Sequence, residues 1–283
     1  MDVTSFLLGF QKGKASGGPA GDGSVPTGVY FKASEIPRPN AYYQRWFRYK
    51  GELYAFTLTY TGNGDDFLCY KWENDAWTQV FTKTKIRTTV LSCGVLYNGE
   101  IHFIGNEYKY HKVWDGGATV RDLNQLPENI YRSFVYQNRL CAYCQSTGTI
   151  YAWNESEDTW EIFAENILSS YYPQTYVING DLYFVQNKDV YRFENGSAPK
   201  IYALSLGGKY LPRTKGNCFY YYNLGSTGQN LYKFDVVNGV ETKLGGFPVA
   251  KLTFQGFTDV DTDNFTFIMG SNDGFTEFEM FEI

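Results

Sequence analysis

The chain's whole stock of imidazole is two residues, His102 and His111. No Ser, Cys or acidic pattern beside them completes a nucleophilic triad, and zinc asks for more ligands than two. Both are read as ordinary strand or loop residues. "CAYC", Cys141 to Cys144, has the spacing of a thiolate pair. It occurs once, on a predicted strand where positions three apart face opposite sides, so no metal is expected there. "DVDTDN" spaces Asp259, Asp261 and Asp263 as a calcium loop would. The glycine and the distant bidentate glutamate of such a loop are missing, which leaves a polar turn. Hydrolytic or eliminative attack on a sugar would need paired carboxylates on one rim, for which Asp65, Asp66, Glu107 and Asp115 are available in predicted loops. None of these sets closes into a catalytic constellation, and no cofactor, metal or catalytic residue is expected.

The elements that must position such residues are set by an internal repeat. "YKGELYAF" at Tyr49 to Phe56, "YNGEIHFI" at Tyr97 to Ile104 and "INGDLYFV" at Ile178 to Val185 restate one turn and one strand. A second string follows each hairpin: "LCYKWEN", "YHKVWDG", "TIYAWNE", "DVYRFEN", "NLYKFDV" and "EFEMFEI". Its shared aromatics, Trp72, Trp114, Trp153, Phe193, Phe234 and Phe281, are separated by 42, 39, 40, 41 and 47 residues. Supersecondary units at this period predict an all-β fold, a six-bladed β-propeller of four-stranded blades. The first two strands of each unit are joined through Lys50-Gly51, Asn98-Gly99, Gln137-Asn138, Asn179-Gly180, Lys215-Gly216 and Asp263-Asn264, pairs suited to the positive φ of a tight hairpin.

Fourth strands are read in "WTQVFT", "ATVRDL", "WEIFAE", "PKIYAL" and "ETKLGG", which serve only five units. The last unit ends at Ile283 after its third strand and would expose an unpaired edge. "GVYFKASEIP", Gly28 to Pro37, reads as the missing strand, so the last blade is expected to be closed by an N-terminal strand.

Composition agrees with this architecture and excludes several partners. The 283 residues are 43% hydrophobic and 19% aromatic, with 25 Tyr and 22 Phe, which suits pleated surfaces with a sizeable core. Net charge is -5, so no general attraction for nucleic acid or anionic membrane is expected. No apolar run approaches the roughly 20 residues of a spanning helix, and "SFLLGF" lacks the basic flank of a signal peptide. Cys69, Cys93, Cys141, Cys144 and Cys218 are odd in number and read as buried thiols. Adjacent tyrosines (Tyr42-Tyr43, Tyr108 with Tyr110, Tyr171-Tyr172, Tyr220 to Tyr222) are expected mostly in the core, with those at strand ends free to line a loop face.

The repeat resembles the kelch family of propellers over residues 28–283. The likeness rests on the hairpin Gly, the Tyr two before the aromatic, and the late Trp77 and Trp160 in "WENDAWTQV" and "WNESEDTWEIF". Phe56-Thr57, Ile104-Gly105 and Val185-Gln186 stand where that family has paired glycines. The repeated Ser-x-Asp-x-Gly box of sialidase-type propellers is approximated once, by "SNDGF" at Ser271 to Phe275.

Residues 1–27 read as a separate segment: an apolar peptide gathering Phe6, Leu7, Leu8 and Phe10, then a Gly-rich linker. A peptide this short is marginal as an isolated helix and is expected to order against a partner. Its "SFLLGFQKGKASGG" opening resembles the start of tailed-bacteriophage virion structural proteins, where such a peptide attaches an appendage to the particle. That resemblance implies a non-enzymatic binding module of a virion, attached to other virion proteins through Phe6, Leu7, Leu8 and Phe10 and contacting host surface polysaccharide or protein. Two rival readings are a carbohydrate-active propeller enzyme and an intracellular kelch-like adaptor.

Overall fold

In a computed structural model, the described residues are 29–36, 43–60, 65–86, 93–105, 109–130, 132–168, 173–225, 228–246, 266–270 and 275–282. They form an all-β propeller. An N-terminal strand, β1 (Val29–Ile36), precedes five blades. The first blade is β2 (Tyr43–Tyr49), β3 (Glu52–Tyr60), β4 (Asp65–Glu73) and β5 (Ala76–Ile86). The second is β6 (Cys93–Tyr97), β7 (Glu100–Ile104), β8 (His111–Trp114) and β9 (Arg121–Leu123). The third is β10 (Arg132–Tyr136), β11 (Arg139–Cys144), β12 (Thr149–Asn154) and β13 (Thr159–Ala164). The fourth is β14 (Gln174–Ile178), β15 (Asp181–Gln186), β16 (Asp189–Arg192) and β17 (Lys200–Ala203). The fifth is β18 (Lys209–Lys215), β19 (Cys218–Gly225), β20 (Gly228–Asp235) and β21 (Val240–Gly246). The last two strands are β22 (Thr266–Gly270) and β23 (Phe275–Glu282).

Within each blade the strands lie side by side in chain order and antiparallel, and the first strands of the second to fifth blades touch their neighbours. The first strand is therefore innermost and the fourth outermost. The expectation of six four-stranded blades is corrected to five. The remaining sheet has the order β1-β23-β22, three strands among the described residues. In that sheet the two ends of the chain meet, from Val29 opposite Glu282 to Ile36 opposite Phe275.

The hairpins follow from backbone sterics. Lys50, Asn98, Gln137, Asn138 and Asn179 take φ between 49° and 56°, with Gly51, Gly99 and Gly180 at 78°, 78° and 84°, as two-residue type I′ turns demand. The fifth hairpin differs by one position from the expectation. Lys215 pairs with Cys218, so Gly216-Asn217 makes the turn, with Gly216 at φ 55° as the first residue of a type II′ turn. The pair Asp263-Asn264 lies outside the described residues.

Among the described residues, Trp114, Trp153, Phe193 and Phe234 are wedges driven into the preceding blade. Trp114 meets Tyr49, Tyr54 and Phe56 of the first blade at ring distances of 5.2, 4.9 and 5.1 Å. Phe193 meets Tyr136 and Phe163 of the third blade, and Phe234 meets Tyr202 of the fourth. The core thus sits in the seams between sheets, and inner strands are buried on both faces: Ile101 to Ile104, Leu140 to Cys144 and Leu182 to Val185 are buried without alternation. Outer strands are edges, which propellers must protect. In four blades the register between the outer strand and its inner neighbour shifts at an extra outer residue, Val80, Phe163, Ile201 or Leu244, and the first blade has a second shift between Lys83 and Ile86. Such bulges twist the edge away from further pairing.

Candidate functional site

Antiparallel order puts two kinds of connection on each face of the wheel. The hairpins entering the second and fourth strands share one face. The turns between second and third strands share the other with the linkers that pass from blade to blade. This linker face is built from backbone latches: Leu126 N–H donates to Lys109 carbonyl (2.9 Å), Ile167 to Gly148 (3.0 Å) and Leu204 to Lys188 (2.7 Å). The three aliphatic side chains are buried, so each of these three linkers has an apolar plug beside its backbone hydrogen bond. Lys109 and Gly148 adopt positive φ, 54° and 69°, to present those carbonyls.

Between the second and third blades this face gathers a set of polar side chains around one carboxylate. Glu128, on the linker, accepts hydrogen bonds from Cys144 Sγ (2.8 Å), Thr147 Oγ1 (3.0 Å) and Tyr151 OH (2.7 Å). Ser146 Oγ lies 3.1 Å from the same sulfur, and the Lys109 ammonium donates to the Pro127 carbonyl beside Glu128. The hydrogen bond from Cys144, those from Tyr151 and Thr147 and the Lys109 charge hold the Glu128 carboxyl below its ordinary range, against burial that pushes it up. Burial and the Glu128 carboxylate push the Tyr151 phenol up. A carboxylate with a lowered pKa is a poor base, and its donors point inward at it. The cluster ties linker to turn, and the exposed Ser146 and Thr147 form its outer surface.

The sequence-predicted residues are dispersed. His102 on β7 and His111 on β8 share one face of the second blade, with His102 Nδ1 2.9 Å from His111 Nε2, and both are buried. Cys141 packs toward the fourth blade, where burial lifts its thiol to about 12, whereas Cys144 reaches Glu128. They do not converge, as strand geometry requires. Cys69, Cys141 and Cys144 are free thiols. Among the described residues, no three of His, Cys, Asp and Glu gather where a metal ion could sit.

Asp65 and Asp66 begin β4 rather than occupying a loop, a correction to the expected carboxylate rim. Asp115 is exposed beyond β8 and caps its own turn, accepting from Gly117 N at 2.8 Å. Tyr220, Tyr221 and Tyr222 are all buried, and Tyr110 folds over Gly105 instead of lining a loop face. Phe6, Leu7, Leu8, Phe10, Tyr42, Glu107, Tyr108, Tyr171, Tyr172, Asp259, Asp261, Asp263 and the span 271–274 lie outside the described residues.

Sequence reasoning missed the Glu128 cluster and the backbone latches. The latches use carbonyls, which carry no side-chain signature. The cluster joins residues from a linker, a turn and two strands without a repeated spacing.

No protein-family model and no curated protein matches this sequence. The fold is similar to that of a catalytically inactive histidine-to-alanine variant of virginiamycin B lyase from Staphylococcus aureus, solved with quinupristin (13% identity, TM-score 0.56, covering 88% of this chain and 99% of that one). It is also similar to a putative exported protein from Bacteroides fragilis (8% identity, TM-score 0.59, 89% and 95%). A third similar structure is a protein of unknown function from Bacteroides thetaiotaomicron (12% identity, TM-score 0.58, 89% and 76%). At these identities the likeness establishes the propeller fold and nothing finer.

Proposed function

We propose that this propeller is a non-enzymatic binding and structural module of a tailed-bacteriophage particle, attached through residues 1–27 and contacting host surface polysaccharide or protein with an exposed loop face. One observation carries the reading. The apolar peptide with Phe6, Leu7, Leu8 and Phe10, followed by its Gly-rich linker, leads directly into β1, the edge strand of its sheet. A tether joined to an edge strand meets the wheel at its perimeter, so attachment there leaves both loop faces open to a ligand. Deleting residues 1–26 is expected to abolish incorporation into particles while the isolated ring keeps its cooperative unfolding transition. Normal incorporation of the truncated chain overturns the reading.

A second reading, a propeller enzyme, is favoured by the similarity in fold to virginiamycin B lyase. Against it, both histidines of this chain are buried in a seam, and Glu128 is held ionised by inward-facing donors. Incubation of the full chain with host surface polysaccharide should release no new reducing ends and no unsaturated sugar. Release of either would replace the first reading with the second.

A further inference from the structure

The seam between the second and third blades is built unlike the others. Those between the first and second, third and fourth, and fourth and fifth blades are filled by aromatic and aliphatic groups and thiols, with no imidazole. Here His102 and His111 stand beside Ile104, Leu126, Ile130, Leu140, Ala142 and Trp153. The His111 ring lies 4.6 Å from Trp153 and 5.3 Å from Trp160, both in the third blade. The two imidazoles hydrogen-bond to each other, and their outer nitrogens, His102 Nε2 and His111 Nδ1, are buried with no partner.

That arrangement suits neutral rings only. A neutral pair shares one N–H and carries its second on an outer nitrogen; an added proton takes the remaining outer nitrogen, where the Tyr97 backbone favours a charged His102 only in part and nothing comparable serves His111. The charged groups around the pair offer little compensation. On the second blade, Glu100 favours a charged His102, but it is ion-paired at 2.6 Å with Arg121, which opposes charge on both rings. Lys112, beside His111, is paired with Asp122. The third-blade groups that meet the rings are indoles, Arg139 there is paired with Glu161, and the Tyr97 ring packs on His102 from its own blade. Glu155 and Asp158 serve the seam differently, accepting from Asn98 (2.9 Å, side chain) and Asn124 (2.6 Å, at the Asp158 carbonyl).

We propose that the His102–His111 pair makes this seam an acid-operated hinge: proton uptake parts the second blade from the third while the other seams stay closed. The direction of the titration agrees. Burial drives His102 down to about 4 and, with the charge of its neighbour, His111 to about 3, against about 6.5 for an exposed ring. Folded-state values lowered in this way mean that the opened seam binds more protons. The closed seam is fully favoured above about pH 6.5 and loses ground as pH falls toward 4. At pH 5 each imidazole released to solvent raises the opening equilibrium by about thirtyfold, and both together by up to about a thousandfold.

The test is hydrogen exchange of the full chain from pH 7.5 to 4.5, corrected for intrinsic rates, with the imidazole resonances followed in parallel. Protection of β8 and β12 should collapse with acid while β15 and β19 keep theirs, and neither ring should titrate near 6.5. The His102→Gln, His111→Gln double variant, whose amides stay neutral, should remove the acid dependence. Rings that titrate near 6.5 with protection intact, loss of protection spread evenly over all seams, or an unchanged acid response in the variant would each overturn the hinge. Should the variant fail to fold, the wild-type exchange and titration still decide.

Discussion

If the repeated aromatic of the third strand is the wedge that joins each blade to the one before it, Trp114→Ala is the substitution that exposes this role. The indole is completely buried, rests on Tyr49, Tyr54 and Phe56, and also approaches Phe81 at 6.4 Å. Truncation of a large buried aromatic costs about 3–5 kcal/mol through lost transfer energy and the remaining cavity. The Trp114 Nε1–H also donates to the Gly117 carbonyl at 2.7 Å, a bond worth about 1 kcal/mol net. Gly117 is exposed, so water takes over that acceptor and little of the bond's value is lost. The expected cost is about 4 kcal/mol, a large part of the stability of an ordinary domain.

Urea unfolding measures it as a lowered midpoint with an unchanged slope. Two comparisons make the reasoning refutable. Trp114→Phe places in the second blade the ring that the fourth and fifth blades carry as Phe193 and Phe234, and should recover more than half of the loss. Trp77→Ala removes an indole of the outer strand that packs at a tilt against Trp72, 5.0 Å away within its own blade, and is only half buried, so it should cost about 1–2 kcal/mol. If Trp114→Ala costs no more than Trp77→Ala, the repeat is not a seam device.

Two further substitutions probe close approach and turn geometry. Gly94→Ala on β6 would put a methyl 2.3 Å from Phe47 Cζ of the first blade, so thermal unfolding should show a loss of about 1–3 kcal/mol from overpacking. Gln137 and Asn138 occupy a type I′ hairpin at φ 50° and 56°, where most side chains are strained, and Gln137→Asn with Asn138→Gly should raise the urea midpoint by the equivalent of about 0.5–1 kcal/mol. A neutral or destabilising result there would mean that the turn contributes nothing of its own to hairpin register.

Blade boundaries were legible because two of a blade's demands are local. A tight hairpin needs positive φ, which shows as Asn-Gly or its equivalents, and a seam needs one large ring at a fixed station, which shows as Trp or Phe. Where a demand has more than one local answer, the reading slipped. In "TKGNC" the glycine serves as the first residue of a type II′ turn rather than the second of a type I′ turn, and the hairpin moved by one position. Alternation failed for a different reason: an inner strand lies between two neighbouring blades, so Tyr220, Tyr221 and Tyr222 are all buried, and adjacent tyrosines carry no message about exposure. The last sheet, with three strands among the described residues, departs from the pattern extrapolated from five complete copies.

The same two-sided burial decides where specificity can reside. Seams accept either Trp or Phe at one station, as Trp114, Trp153, Phe193 and Phe234 show, and therefore differ little in chemistry there. Between the second and third blades two polar sets break that equivalence. One is the Glu128 cluster on the linker face, and the other is the imidazole pair beneath it in the seam. Glu128 reaches from the linker to Cys144 and Tyr151, so the linker that follows the second blade is held by groups of the third. A seam that parts with acid would pull on this latch, whose donors hold the Glu128 carboxyl below its ordinary range. Opening would then turn about the linker face as a hinge and widen the hairpin face, where Asn98 and Glu155 form their cross-blade bond.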